Sequence, residues 1–115
     1  MLSGSHKNNI CGDANNLISA SKNNIGGNFN TLIDSKKNNI CGDSNSLFSS
    51  KKNNIWGSGN QLGGSNHNSI QGCENTLISA HHNNIAGNQN QVINSHCNSI
   101  SGSGNSIIDD GCGCY

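Results

Sequence analysis

Five residue columns recur every fifteen residues along this chain, and this repeat constrains the fold more than any other feature of the sequence. In each period an isoleucine has an asparagine two residues before it and a glycine two residues after it. A second asparagine and a second aliphatic residue follow, so the unit is N-x-I-x-G-x-x-N-x-L-x-S-x-x-x. Its five Asn, Ile, Gly, Asn and aliphatic columns hold through seven units, and its Ser position is serine in three of them. The two asparagine columns are Asn8, Asn23, Asn38, Asn53, Asn68, Asn83 and Asn98, and Asn15, Asn30, Asn45, Asn60, Asn75, Asn90 and Asn105. The sequence predicts one repeat domain over residues 1–115, with a cysteine-rich end at 109–115.

The composition excludes an ordinary globular domain. Asn, Ser and Gly together make up half of the 115 residues, and only 30% of the chain is hydrophobic. Ordering a chain of this length costs on the order of 170 kcal/mol, which burial of so few apolar side chains does not offset. Such a composition usually indicates disorder, but disordered segments do not hold five columns in phase through seven periods. The stability must therefore come from stacked, repeated backbone pairing.

Each unit consists of two halves with the same pattern, an asparagine, an aliphatic residue and a small residue at alternate positions. Alternation with a period of two predicts a short strand in each half, and the Gly- and Ser-rich stretches between them predict turns. Two strands and two turns per fifteen residues describe one coil of an all-β, two-sheet β-solenoid. With coils ~4.8 Å apart, seven coils form a rod roughly 34 Å long. The expected interior holds Asn, Ile and Gly from one sheet, and Asn, Leu and Ser from the other, with the amides stacked in ladders.

The repeats resemble a known family. The segments Asn68-Ser69-Ile70-Gln71-Gly72 and Asn75-Thr76-Leu77-Ile78-Ser79 are similar to the N-x-V-x-G repeats of grass ice-recrystallisation-inhibition (antifreeze) proteins. The resemblance spans nearly the whole chain and implies a β-roll fold and an ice-binding activity. The N-S-I-x-G segments also resemble head repeats of trimeric bacterial adhesins, without the second apolar residue that those repeats carry before the glycine.

The outward positions of the second sheet form the candidate functional face. Six of its seven sites after the core aliphatic residue are large and apolar, and Ile18 begins this row. Such a row usually marks an interface, unless a long turn folds over it. Gln61, Gly63 and the bulky Phe48 interrupt its flatness. The residues predicted to form an assembly or ice face are Thr31, Ile33, Ser46, Phe48, Thr76, Ile78, Gln91, Ile93, Ser106 and Ile108.

A second feature is a basic edge in the turn after the second sheet. Its cationic side chains are Lys7, Lys22, Lys36, Lys37, Lys51 and Lys52, followed by His67, His81, His82 and His96. Aligned cations attract phosphates or acidic glycans, but lysines in turns also discourage wrong lateral pairing. The zero net charge, the lack of arginine and the lack of stacking aromatics argue against a nucleic-acid partner. No metal site is expected either, because no C-x-x-C occurs with a matching histidine pair.

The cysteines divide into two predicted roles. Cys97 and Cys112 are one period apart, which predicts a disulfide between adjacent coils. Cys11 and Cys114 are candidates for bonds to neighbouring subunits. No segment resembles a signal peptide or a transmembrane span, and the sequence leaves the compartment open.

Two functional hypotheses follow, and neither is catalytic. No serine, histidine and acid fall in phase as a catalytic set, so we expect no enzyme, no cofactor, no small-molecule substrate and no membrane partner. The first hypothesis is a structural subunit that assembles with itself into a fibre or array, through open coil ends, the apolar outer row and cysteines. The alternative is an ice-binding protein that uses the Thr/Ser/Gln-x-Ile face of the second sheet.

Overall fold

A computed structural model describes residues 1–94 and 97–108, and this part of the chain contains no helix. Its strands, nearly all of three residues, follow one another at intervals of seven or eight residues. They are β1 Leu2–Ser3, β2 Asn9–Cys11, β3 Asn16–Ile18, β4 Asn24–Gly26, β5 Thr31–Ile33, β6 Asn39–Cys41, β7 Ser46–Phe48, β8 Asn54–Trp56, β9 Gln61–Gly63, β10 Ser69–Gln71, β11 Thr76–Ile78, β12 Asn84–Ala86, β13 Gln91–Ile93, β14 Ser99–Ser101 and β15 Ser106–Ile108.

The strands form two parallel sheets, because each coil contributes one strand to each sheet. The odd-numbered strands form an eight-stranded sheet and the even-numbered strands a seven-stranded sheet. The register equals the sequence period throughout, so that Ile55 pairs with Ile70 and Leu62 with Leu77. The rod measures 36 × 20 × 15 Å. The prediction of an all-β solenoid of about seven coils is therefore confirmed.

The interior is a thin double layer of aliphatic side chains. The three-residue strands from β2 to β13 bury their central residue and expose its flanks to a greater degree, as in β8, where Ile55 is fully buried between exposed neighbours. In the last two strands the central residues, Ile100 and Ile107, are half-buried. The leucine layer of the eight-stranded sheet, including Leu47 and Leu62, faces it. A strand one residue out of register would turn this row outward, so the alternation fixes the register.

The asparagine columns form ladders inside the turns. At Asn60, the side-chain oxygen accepts the backbone N–H of Asn45 at 2.9 Å and its side-chain amide at 3.0 Å. The Asn60 amide donates to the Gly57 carbonyl at 2.9 Å and to Asn75 at 3.0 Å. Asn60 thus satisfies a backbone carbonyl of its own coil and a backbone N–H of the coil before it. The predicted ladders are confirmed, and they supply the pairing that so small an apolar core needs.

The predicted direction of two small-residue columns was wrong. The Gly12 column is not inward: its members are half-buried or exposed, with φ between 116° and 149°. Ser19 is exposed with φ of 53°, and Ala20, the residue after it, is fully buried. Alternation holds only while the backbone is extended, and the chain has already entered the turn at these positions. The buried small column is Ala20, Ser35, Ser50, Ser65 and Ala80.

Candidate functional site

The outer face of the eight-stranded sheet carries two parallel columns. We call the first the apolar stripe, which consists of Ile18, Ile33, Phe48, Ile78, Ile93 and Ile108. The second is the polar column, which consists of Asn16, Thr31, Ser46, Gln61, Thr76, Gln91 and Ser106. The one-to-one register of the strands places equivalent residues of successive coils side by side, as with Thr31 and Ser46. The face is thus a regular two-column surface along the length of the rod.

The apolar stripe is open to solvent in the described part of the chain. Phe48 is 45% exposed, Ile78 44% and Ile108 51%, and the other members are half-buried. The described residues place no covering turn over it. At Gly63, where a side chain is missing, a Cβ atom would lie 3.1 Å from Cδ1 of Phe48. The Phe48 ring therefore occupies the space beside Gly63, so the row continues across the position where the sequence predicted an interruption.

The outer face of the seven-stranded sheet has a feature that the sequence analysis missed. Asn24 donates its side-chain amide to Asn9 at 3.1 Å, Asn39 donates to Asn24 at 3.0 Å, and Asn54 donates to Asn39 at 3.0 Å. This exposed asparagine ladder runs beside the buried one. Its signal in the sequence was the doubled asparagine before the core isoleucine in each of the first four units. The ladder gives this face a second row of polar pairing and no apolar row.

Two exposed thiols lie on the seven-stranded face, in the column that follows the core isoleucine. Cys11 and Cys41 are exposed free thiols on either side of Gly26, at a shallow depression of about 400 Å³. The structure thus places the predicted intersubunit thiol Cys11 at the surface. Cys97 is half-buried in a turn. Its predicted partner Cys112, and the second intersubunit candidate Cys114, lie outside the described residues, so both pairings remain predictions.

The basic edge occupies the turn that follows the eight-stranded sheet. Four of its lysines, including Lys22 and Lys37, sit in left-handed conformation with φ of 59°. The N–H of Lys22 donates to the Lys36 carbonyl at 3.1 Å, which ties each corner to the next coil. Lys36 and Lys51 lie directly beside each other in an isolated parallel bridge. All six lysines of the chain are thereby stacked along one edge.

Histidines continue the same edge in the later coils. The rings of His67 and His82 stack, with their centroids 5.1 Å apart and their planes 6° from parallel. Among residues 1–94 and 97–108, no group of three histidine, cysteine or acidic side chains is placed to hold a metal ion. His96, the remaining histidine predicted for this edge, lies outside the described residues.

Two acidic turn residues, Asp13 and Asp43, have structural partners. Asp13 accepts the backbone N–H of Asn28 at 2.6 Å, and Asp43 accepts that of Ser58 at 2.6 Å. Each carboxylate thereby links its turn to the next coil. The side-chain oxygen of Asn28 makes the same link by accepting the backbone N–H of Asp43. The described residues include no helix long and apolar enough to cross a membrane.

Comparisons with known proteins leave the chain without an assigned family. No protein-family model matches it, and no curated protein or solved structure matches it either. The resemblance to grass antifreeze repeats therefore rests on the repeat motif alone.

Proposed function

We propose that this chain is a non-catalytic structural β-solenoid that associates with further copies of itself through the apolar stripe. The observation that supports the proposal is the stripe itself, a row of large apolar side chains open to solvent along the eight-stranded sheet. An extended apolar patch of this kind usually marks an interface. Two-fold pairing of two such faces would bury the stripe of each copy against its partner, in the manner of packed β-sheets.

The size of the face determines how strong such pairing is. The rod is 36 Å long, and three residues of strand span roughly 10 Å. Two faces together then bury roughly 700 Å², less than the 1,200–2,000 Å² of a standard stable interface. Because association itself costs several kcal/mol, one face supports weak, concentration-dependent contact. Larger assemblies need a second contact, for which the exposed Cys11 thiol is a candidate, and a reductant added during sedimentation tests its contribution.

Lysines placed in the stripe are expected to weaken this association. Ile33→Lys combined with Ile78→Lys removes two apolar contacts and places two like charges in each face. We expect the association constant to fall at least about tenfold, since each buried isoleucine contributes about 1.5–3 kcal/mol. Analytical ultracentrifugation over a range of concentrations, together with electron microscopy, measures the effect.

The control carries the same added charge on the opposite sheet. Gln71→Lys combined with Ala86→Lys changes two exposed positions of the seven-stranded face and is expected to leave association nearly unchanged. A parent protein that remains a 12.0 kDa monomer at millimolar concentration, oxidised and reduced alike, would contradict the proposal.

Ice binding is the second candidate, and the in-register face supports it. The polar column and the apolar stripe repeat together from coil to coil, which is the regularity that an ordered layer of water requires. Thr76→Tyr, in the middle of that face, is expected to abolish inhibition of ice recrystallisation without shifting the melting temperature. Ser69→Tyr, a half-buried position on the other sheet, is the matched control and should have little effect. Absence of inhibition by the parent protein at high micromolar concentration would remove this candidate.

A further inference from the structure

The basic edge presents an unneutralised row of positive charge beside a groove. No ion pair involves the ammonium group of any of the six lysines within the described part of the chain. Lys36 and Lys51 are stacked on adjacent coils, whose backbones lie about 4.8 Å apart, and like charges at paired positions repel. The turn itself does not require lysine here, because the same column holds the neutral residues Ser21 and Asn66.

The groove runs along the rod axis over the same coils. It has a volume of about 630 Å³. One wall carries Lys36 and Lys51, the opposite wall carries Ser19, Asp34 and Ser49, and the buried Ala20 lies at its base. Its lining combines ammonium groups with hydroxyl groups, and the one aromatic ring among its described residues is the imidazole of His6, in the first coil. This chemistry suits the carboxylates and hydroxyls of an acidic sugar chain.

We propose that this groove binds a linear anionic polysaccharide of the polyuronate class. An extended 1,4-linked polyuronate carries one carboxylate on each sugar, and successive carboxylates point to opposite sides of the chain. One carboxylate can therefore lie between the ammonium groups of Lys36 and Lys51, while ring hydroxyls bond to the serines of the opposite wall. Aligned cations also concentrate a polyanion near the edge before contact. The serine wall borders the apolar stripe, since Ser19 follows Ile18 and Ser49 follows Phe48, whereas the two lysines lie on the far wall. Binding at the lysines needs no self-association through the stripe.

Binding is measured with polygalacturonate as the probe, by titration calorimetry at low ionic strength. Fully methyl-esterified polygalacturonate has the same backbone without the charge and is expected not to bind. Binding of the charged form should weaken as salt is raised toward 0.1 M, where the screening length is about 10 Å. Absence of binding by the charged form at low salt would overturn the proposal.

Three variants separate the groove from the general charge of the edge. Lys36→Gln combined with Lys51→Gln is expected to weaken binding about three- to tenfold. The control, Lys37→Gln combined with Lys52→Gln, removes the same charge from the same two coils outside the groove, and about a twofold loss is expected. Asp34→Asn removes the one carboxylate among the described residues of the groove lining and should tighten binding about twofold.

Three results would overturn the groove as a polyuronate site. Equal losses in the two lysine pairs, or tighter binding of double-stranded DNA than of polygalacturonate, would indicate a general attraction of polyanions. Salt-sensitive self-association that disappears in the Lys36/Lys51 variant, without polygalacturonate binding by the parent, would indicate that a second copy occupies the edge.

Discussion

Ile55→Asp is expected to unfold at least the central coils of the rod. Ile55 is fully buried in β8, and the opposing layer of leucines offers no partner for a carboxylate. The change removes about 2–5 kcal/mol of packing and adds the cost of an unpaired buried charge, which together approach the total stability of a small domain. Circular dichroism should show loss of the β signal or a much lower melting temperature.

Asn54→Asp places the same carboxylate one residue earlier in the same strand, on the outside. The Asn54 side chain is exposed and donates one hydrogen bond, to the side chain of Asn39. The free energy of unfolding is therefore expected to fall by about 1 kcal/mol or less. A variant with Asp at 55 that melts within a degree or two of the parent would contradict the assignment of this column to the interior.

The strands and the aliphatic interior could be predicted because the repeat leaves little freedom. A strict fifteen-residue period forces equivalent residues into one column, and the alternation around Ile55 or Leu62 then determines which flank faces inward. The asparagine ladders followed from the same argument, since a buried amide repeated at every coil has its own copy as the nearest partner. These conclusions need only the extended backbone of the strands.

The turns could not be predicted in the same way. Gly12 and Ser19 continue the alternating pattern in the sequence, but the chain has turned by then and φ is positive at both residues. A period of two contains no information about where the strand ends, so the burial of Ala20 in place of Ser19 was missed.

The candidate surfaces divide in the same way, into features that follow from the strands and features that depend on side-chain positions. The apolar stripe was visible in the sequence because its members lie in strands. The ring of Phe48 beside Gly63, and the groove between Lys36 and Asp34, depend on side-chain positions across neighbouring coils. The exposed asparagine ladder lies between these cases, because its doubled asparagines were visible but their hydrogen bonds were not.

Gly72→Ala is expected to break the stacking of the rod at its middle. Gly72 has φ of 145°, a conformation that L-residues rarely adopt, and its N–H donates to the Ala86 carbonyl at 3.0 Å. A Cβ atom here would overlap the carbonyl oxygen of Gly57 one coil earlier. A backbone oxygen cannot move aside as a flexible side chain can. Adjacent coils must therefore separate, or the turn must adopt another conformation. We expect the free energy of unfolding to fall by about 3 kcal/mol or more, because backbone strain and overpacking add together.

Gly12→Ala separates the two causes, because Gly12 has φ of 116° but no atom within 4 Å of its Cβ position. The free energy of unfolding is expected to fall only by the backbone strain, about 1–3 kcal/mol. Gly12 also lies in an end coil, which contributes least to the stability of the rod. Because each coil of a solenoid contacts only its neighbours, Gly72→Ala should also broaden the thermal transition or divide it into two steps. Thermal melting followed by circular dichroism measures both effects. Equal and small losses in the two variants would show that the glycine column does not form the close contact between coils on which this prediction rests.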